Sequence, residues 1–399
     1  MYKLFFVLFF FISLNIQPLF SQNNDLHMSF GTAFNTKNIL GTRNKSNINF
    51  NIGYSKKKFS SQLSFNYDDL NKLKFDNSFV NYQSKILDFN IGKIDRIWSF
   101  SEQNSLILSS NARPLEAISI ISENNFNTYW LPKNAKWSIE VINASTKKSY
   151  NNKNSILTGA RVIFSPTVNL DFEVLQTSQW GGGNKKLNTS TIGAVLFGNS
   201  NEGNYANINK MAGFGISYLI PFNGNNYRIY GQAIGEDEAG NLPSCYAWMS
   251  GIELSLPNIK LPTITTIELI DTRVPLSTNG NCGQNTMYNN DSYDYVNYET
   301  VLGVPIDSEA TSIEFVGKTK LNKNLNILYS TKLLTINDKA YSQNRISTKR
   351  SLGSIYSLGV LWKKNNINLG GNISYQNLEL DKQKITPGTT FSFTSSITF

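Results

Sequence analysis

The sequence predicts an all-β fold, a transmembrane antiparallel outer-membrane β-barrel of about eighteen strands, with short periplasmic turns and long extracellular loops. Three observations lead to this fold class. Segments of about ten residues alternate apolar and polar side chains along the chain, as barrel strands do. The connections between these segments are short at one end and long at the other. The chain also opens with the pattern of an export signal.

The N-terminal pattern predicts a signal peptide over residues 1–21. A basic residue precedes an apolar run from Leu4 to Ile12, and small Ser21 offers a cleavage point. The run is too short to span a membrane as a helix. We therefore expect residues 22–399 to form one barrel in the outer membrane of a Gram-negative cell.

Composition narrows the remaining classes. Apolar residues make up 40% of the chain, and the formal net charge is +9. No later stretch has 18 or more consecutive apolar residues, which excludes a helical membrane protein. The net positive charge could attract an anionic glycan or lipopolysaccharide phosphate. Alternatively, it could reflect only the lysines in loops. An exported chain without a basic helix is not expected to bind nucleic acid.

The segment from Val168 to Gln176 shows the strand pattern best. Its two faces alternate Val168, Leu170, Phe172 and Val174 with Asn169, Asp171 and Glu173. One such strand does not say which face is buried. Burying a charged residue of these polar faces, such as Arg161, in a dry core would cost much free energy, whereas a water-filled lumen leaves it solvated. We therefore expect Asp171 and Glu173 to face the lumen, with Arg161 pairing across to them.

Eighteen strands are predicted in all, about one for each alternating segment. They fall at residues 27–35, 46–55, 58–67, 76–83, 86–94, 116–122, 136–143, 156–165, 168–176, 211–220, 226–234, 246–256, 261–271, 311–319, 325–334, 353–363, 367–378 and 389–399. One turn is placed at Pro166–Thr167 and one long loop at 235–245. A soluble propeller would not require short connections at one end of the strands and long ones at the other. The terminal Phe399 resembles the strand end that the barrel-assembly machinery reads.

Three stretches resemble the Wzi-type capsule-assembly family of outer-membrane proteins: Ser105 to Pro114 (SLILSSNARP), Leu170 to Gly183 (LDFEVLQTSQWGGG) and Tyr230 to Ser244 (YGQAIGEDEAGNLPS). Ile267 to Arg273 and Tyr298 to Glu309 match more loosely. The resemblance implies a lectin-like barrel that holds capsular polysaccharide at the cell surface. It does not identify the polysaccharide.

The residues themselves suggest a sugar site after the strand that ends at Gln176. Planar amides and carboxylates bind sugar hydroxyls, and an aromatic ring covers the apolar face of a sugar. Gln176, Gln179 and Trp180 offer these groups, and Gly181 to Gly183 let the backbone approach closely. The alternative is a membrane-interface tryptophan followed by a flexible loop.

A second candidate is the acidic run in the predicted loop 235–245. Glu236, Asp237 and Glu238 could bind sugar hydroxyls, hold Ca²⁺, or form a solvated loop tip. We also expect Arg113 in an outer loop to contact the glycan.

The two cysteines offer a possible disulfide. Cys245 follows the acidic run, and Cys282 lies in the next outer loop. In an oxidising compartment the two could pair. With no histidine nearby they make a poor metal site.

No catalytic constellation is evident, so no enzyme activity, cofactor or metal is predicted. The nearest carboxylates, Asp171 and Glu173, have no activated nucleophile beside them, and no Gly-x-Ser-x-Gly motif occurs. The alternative function is a porin for anions or oligosaccharides, and the discriminating feature is whether Ser105 to Pro114 and the long loops fill the lumen. Expected partners are surface polysaccharide, outer-membrane lipid and lipopolysaccharide, and the barrel-assembly machinery.

Overall fold

The wall of the molecule is a closed, antiparallel 18-strand barrel. It is seen in a computed structural model that describes residues 26–41, 46–68, 72–125, 132, 134–147, 154–182, 195, 208–239, 242–276, 282–290 and 293–399. The sheet counts 19 segments because the fourth strand is split into β4 and β5. The predicted signal peptide lies outside the described residues and stays a prediction.

The barrel strands follow one another in chain order around the wall. They are β1 (Leu26–Asn35), β2 (Ser46–Lys56), β3 (Phe59–Asp68), β4 (Leu73–Lys74), β5 (Phe79–Gln83), β6 (Leu87–Lys93), β7 (Glu116–Asn125), β8 (Lys136–Lys147), β9 (Asn154–Thr167), β10 (Leu170–Trp180), β11 (Asn209–Phe222), β12 (Asn225–Ala239), β13 (Leu242–Leu256), β14 (Thr263–Asp271), β17 (Thr311–Asn322), β18 (Leu325–Ile336), β19 (Ser351–Lys364), β20 (Ile367–Gln376) and β21 (Gly388–Thr398). A small hairpin, β15 (Val296–Asn297) with β16 (Thr300–Val301), lies within an outer loop.

The first and last strands close the barrel. β1 pairs with β21, and Phe399 donates its backbone N–H to the Met28 carbonyl at 2.8 Å. This end also carries tight turns, such as Asn223–Gly224, where both residues have positive φ as a type I′ turn requires. Short turns and the chain ends define the periplasmic side, so the long loops lie outside the cell.

The prediction of eighteen strands is confirmed, with three corrections at their ends. β12 continues to Ala239 and β13 begins at Leu242, so the predicted loop 235–245 is mostly a strand hairpin. β10 begins at Leu170, which moves the turn from Pro166–Thr167 to residues 168–169, and it runs on to Trp180. The extensions lie at the outer end, where the wall rises above the membrane.

The two faces of the wall differ as an outer-membrane barrel requires. Outward side chains are apolar and open, for example Ile118 (56% exposed) and Val174 (64% exposed). Inward side chains include charged and polar groups that pair with one another. Glu173 is fully buried and bonds to Arg161 at 2.6 Å, and Asp171 accepts from the Ser165 hydroxyl. Over the described residues, no helix is long and apolar enough to cross a membrane.

The outer loop at residues 94–115, here called the plug segment, folds into the lumen. Leu106 and Ile107 are completely buried. Their position is fixed by Gln232 on β12, which accepts from the Leu106 N–H at 2.9 Å and donates to the Trp98 carbonyl at 2.6 Å. Gly159 makes room for the plug, because a Cβ there would lie 2.9 Å from the Trp98 ring.

A second outer loop, residues 272–310, covers the plug segment. The Tyr288 hydroxyl donates to the Leu106 carbonyl at 2.8 Å, and the Ser109 N–H donates to the Leu302 carbonyl at 2.8 Å. Tyr288 and Val304 are completely buried and belong to the same apolar cluster as the plug. The outer half of the lumen is therefore packed.

Candidate functional site

Three outer loops surround an open cleft above the filled lumen. The loops span residues 272–310, 337–350 and 377–387, and the cleft, here called the outer cleft, has a volume of about 1080 Å³. This volume is at the upper end of the roughly 300–1,000 Å³ found for small-molecule sites. A cleft of this size can hold several sugar units.

The lining of the outer cleft is rich in side-chain amides and carries two tyrosine rings. The amides are Gln284, Asn285, Asn289, Asn290, Gln343 and Gln383. The rings are Tyr298 and Tyr341, both half-buried. An amide carries both donors and an acceptor, although that of Asn289 is already bonded to Asn285, Met287 and Arg345, and each ring has an apolar face. The combination suits polyhydroxylated rings with polar edges and apolar faces.

Tyr298 is presented by the tip of the β15–β16 hairpin. Tyr298 and Glu299 form its two-residue turn, with φ of 50° and 62°. A type I′ turn normally uses Gly or Asn at these positions, so two bulky residues there store strain of order 1–3 kcal/mol each. Strain of this kind is found mostly at functional sites.

Arg113 supports the Tyr298 ring from behind. Its guanidinium lies 4.2 Å from the centre of that ring and makes a bidentate ion pair with Asp76, at 2.8 and 2.7 Å. The Arg113 carbonyl also accepts from the Asn297 amide at 2.9 Å. The predicted contact residue Arg113 therefore holds the hairpin that carries a cleft residue.

Two cations connect the loops around the outer cleft. Arg345 binds Asp307 through two hydrogen bonds, which joins loop 337–350 to loop 272–310. Lys382 donates to the carbonyls of Ser342 and Asn344 at 3.1 and 2.7 Å. The cleft is therefore held by specific contacts between its walls.

Carboxylates in these loops have shifted pKa values. Asp381 accepts from the Thr348 hydroxyl and N–H at 2.6 and 2.9 Å, which lowers its pKa to about 2. The Arg350 guanidinium at 2.9 Å lowers the pKa of Asp338. Burial raises the pKa of Glu309. Asp381 and Asp338 are therefore charged at neutral pH and keep their loop contacts there.

The structure separates the predicted sugar site on β10. Alternation continues to the end of this strand, so Gln176 and Trp180 lie on the outward face and Gln179 on the inward face. Gln176 donates to the Val195 carbonyl at 3.1 Å, and Trp180 donates to the Thr158 hydroxyl at 3.0 Å. Gln179 is completely buried and donates to Ser155. All three lie at the outer end of β10, as predicted, but on opposite faces of the wall, so they do not form one surface, and their contact with sugar stays a prediction.

The predicted acidic loop is also corrected. Glu236 is only 6% exposed, and it accepts from the buried Tyr288 N–H at 3.0 Å. Asp237 and Glu238 belong to strand β12, and their side chains lie outside the described residues. Over the described part of the chain, no group of three or more His, Cys, Asp or Glu side chains could hold a metal ion.

The two cysteines are joined. A disulfide links Cys245 on β13 to Cys282 in loop 272–310, a separation of 37 residues. Cys282 packs against the apolar cluster that includes the plug segment. The bond therefore attaches the loop that covers the lumen to the barrel wall.

We expect the variant Cys245→Ser, Cys282→Ser to loosen loop 272–310 without unfolding the barrel. A cross-link closing a loop of this length restricts the unfolded chain by up to about 4 kcal/mol. Limited proteolysis should cut the loop faster in the variant, while the barrel still unfolds in one cooperative thermal transition at a lower temperature. Equal cleavage rates in the variant and the native protein would show that the packing alone holds the loop.

Sequence reasoning missed most of the outer cleft. Only the loosely matching stretch Tyr298 to Glu309 pointed to one of its walls. The amides stand in loops without periodicity, among many other asparagines, so no local pattern marked them.

The 18-strand wall, the packed outer half of the lumen and the outer cleft define an outer-membrane β-barrel with a polar cleft among its extracellular loops. The family model for "Capsule assembly protein Wzi" matches residues 22–391. The chain therefore belongs to this family.

The relatives support the fold. Wzi of Escherichia coli, described as a carbohydrate-binding β-barrel involved in group 1 capsule assembly, superposes with a TM-score of 0.79 at 19% identity, covering 97% of this chain and 87% of that one. OccAB2 of Acinetobacter baumannii superposes with a TM-score of 0.52 at 8% identity, covering 94% of this chain and 97% of that one.

A curated relative, an uncharacterised 55.8 kDa protein in the cps region of Klebsiella pneumoniae, is 29% identical over 179 residues. The match spans 44% of this chain and 35% of that protein.

Proposed function

We propose that this protein binds capsular or other surface polysaccharide non-covalently and helps to assemble or retain the capsule at the surface of a Gram-negative cell. The outer cleft carries the proposal. It is wide, lies among the outer loops, and is lined by amides and tyrosine rings, as a site for a glycan held outside the cell requires. Family membership and the carbohydrate-binding Escherichia coli relative support the same function.

Polymer binding fits a cleft whose lining combines amides with two acidic and two basic residues, Asp294, Glu299, Arg345 and Lys382. Single amide–hydroxyl contacts are weak, but a repeating glycan presents the same unit many times, so that rebinding raises the overall avidity. Lipopolysaccharide around the barrel and the assembly machinery that reads Phe399 complete the proposed partners. No step in this function makes or breaks a covalent bond, so we propose no enzyme activity.

Packing of the plug segment disfavours the alternative, a porin. Ser105 to Leu108 are at most 3% exposed, and loop 272–310 lies above them. A solute would have to displace both before it could pass.

The test is calorimetric titration of the detergent-purified protein with polysaccharide from the cells that produce it, with an unrelated glycan as control. The variant Tyr298→Ala, Tyr341→Ala should lose most of the binding. The matched control Tyr67→Ala, Tyr375→Ala removes two half-exposed tyrosines from the outward wall and should bind normally. Selective binding that both double variants retain would place the site elsewhere. Absence of binding to the native glycan would refute the proposed function.

A further inference from the structure

A recess interrupts the outward face of the wall where β5 to β9 reach the extracellular side. Its volume is about 510 Å³, within the range of roughly 300–1,000 Å³ typical of small-molecule sites. Its apolar side chains include Phe75, Ile91 and Ile118, which are 41%, 55% and 56% exposed. The recess is distinct from the outer cleft, which is lined by other loops.

The recess results from a break in the fourth strand. The chain leaves the wall between β4 and β5, and Gly92 on β6 faces the gap with φ of 145°. A Cβ at Gly92 would lie 2.3 Å from the Ser78 carbonyl oxygen, so only glycine allows this close approach. The break in the strand and the absence of a side chain at Gly92 leave the hollow.

Two ammonium groups stand at the extracellular end of this recess. Lys93 ends β6 and Lys147 ends β8, and both reach Glu116 at the start of β7, at 3.1 and 3.3 Å. Two cations and one carboxylate leave one net positive charge. Each ammonium has three donors, and the contact with Glu116 uses one of them. The carboxylate thus holds both cations side by side and leaves donors for a further anion.

We propose that this recess, here called the wall recess, binds one lipid of the outer leaflet. The lipid has acyl chains and a phosphorylated headgroup. The order of these groups along the membrane normal fits such a molecule. The apolar hollow faces the membrane, and the two cations lie where the lipid headgroups begin. Phosphate contacts from Lys93 and Lys147 would fix the headgroup, and an acyl chain against Ile91 and Ile118 would fill the hollow. A polysaccharide has no acyl chain to place there.

The test uses diphosphoryl lipid A in detergent micelles and native mass spectrometry of the full chain, with dephosphorylated lipid A and inorganic phosphate as comparison probes. The native protein should retain one lipid A molecule. The double variant Lys93→Gln, Lys147→Gln should weaken retention by about five-fold for each cation removed. Each basic residue near an anionic membrane surface strengthens binding by about that factor. Inorganic phosphate should not displace the lipid.

A second variant tests the apolar part. Ile118→Trp fills the hollow and should reduce retention, whereas Leu352→Trp, at an equally exposed outward position on β19, should not. Lys349→Gln, an exposed outer-loop lysine, is the control for charge. Heat-modifiable migration on gels verifies that each variant is folded. Equal retention by Ile118→Trp and the native protein, or displacement by inorganic phosphate, would overturn the proposal. None of the substituted residues lines the outer cleft, so we expect polysaccharide binding to be unchanged and this test to be independent of the proposed function.

Discussion

Replacing residues 99–112 of the plug segment with a glycine–serine chain of equal length is expected to turn the closed barrel into a conducting pore. The native plug contributes buried side chains such as Leu106 and Ile107, and a glycine–serine chain can neither fill that volume nor support loop 272–310, which packs on the plug. Barrels of 16 to 18 strands are wide enough for an aqueous channel. In planar bilayers we expect no stable steps from the native protein and stable ohmic steps from the variant.

A point variant gives the intermediate case. Gln232→Ala removes bonds to Leu106, Trp98 and Glu173, and leaves buried polar groups without partners. We expect the seating of the plug to weaken by about 3–5 kcal/mol, which should appear as brief openings. Gln62→Ala makes the same change on β3, where the amide bonds to Ser64 and Asn77, and should stay closed. A folded, silent glycine–serine variant would mean that loop 272–310 closes the lumen without the plug segment.

The barrel wall was predictable because its signal is local. A period of two, interrupted by turn residues, repeats in every strand, and a closed wall needs no further information. Strand ends were harder to place. β10 was predicted to stop at Gln176, but it continues for four further residues, so that Gln179 faces the lumen and Trp180 faces outward. In a strand, one residue of register decides between membrane and lumen.

The packing of the plug segment in the lumen and the formation of the outer cleft could not be predicted in the same way. Ser105 to Pro114 appeared as an outer loop, and only long-range contacts such as Gln232 with Leu106, 126 residues apart, place it inside. The outer cleft likewise joins three loops whose contacts cross the sequence, as between Arg345 and Asp307. Arg113 was selected as a contact residue, yet the structure places it behind Tyr298.

The positions of Arg113 and Tyr298 lead to a second prediction with a large expected effect. Tyr298→Ala should weaken polysaccharide binding about ten-fold, since truncation of an aromatic anchor usually costs more than about 1 kcal/mol. Arg113→Ala should weaken binding several-fold as well, because it removes the cation that holds the ring at 4.2 Å and leaves Asp76 without its bidentate partner. Calorimetry on the same glycan measures both.

The double variant decides how Arg113 acts. If Arg113 only positions Tyr298, then Arg113→Ala in the Tyr298→Ala background should cause almost no further loss, and the two effects should be strongly non-additive. If Arg113 contacts the glycan itself, the two losses should add. Arg273→Ala, which removes another outer-loop arginine paired to an aspartate, is the matched control and should bind normally in both backgrounds. Additive losses from Arg113 and Tyr298 would therefore return Arg113 to the role of a direct contact and extend the outer cleft toward β7.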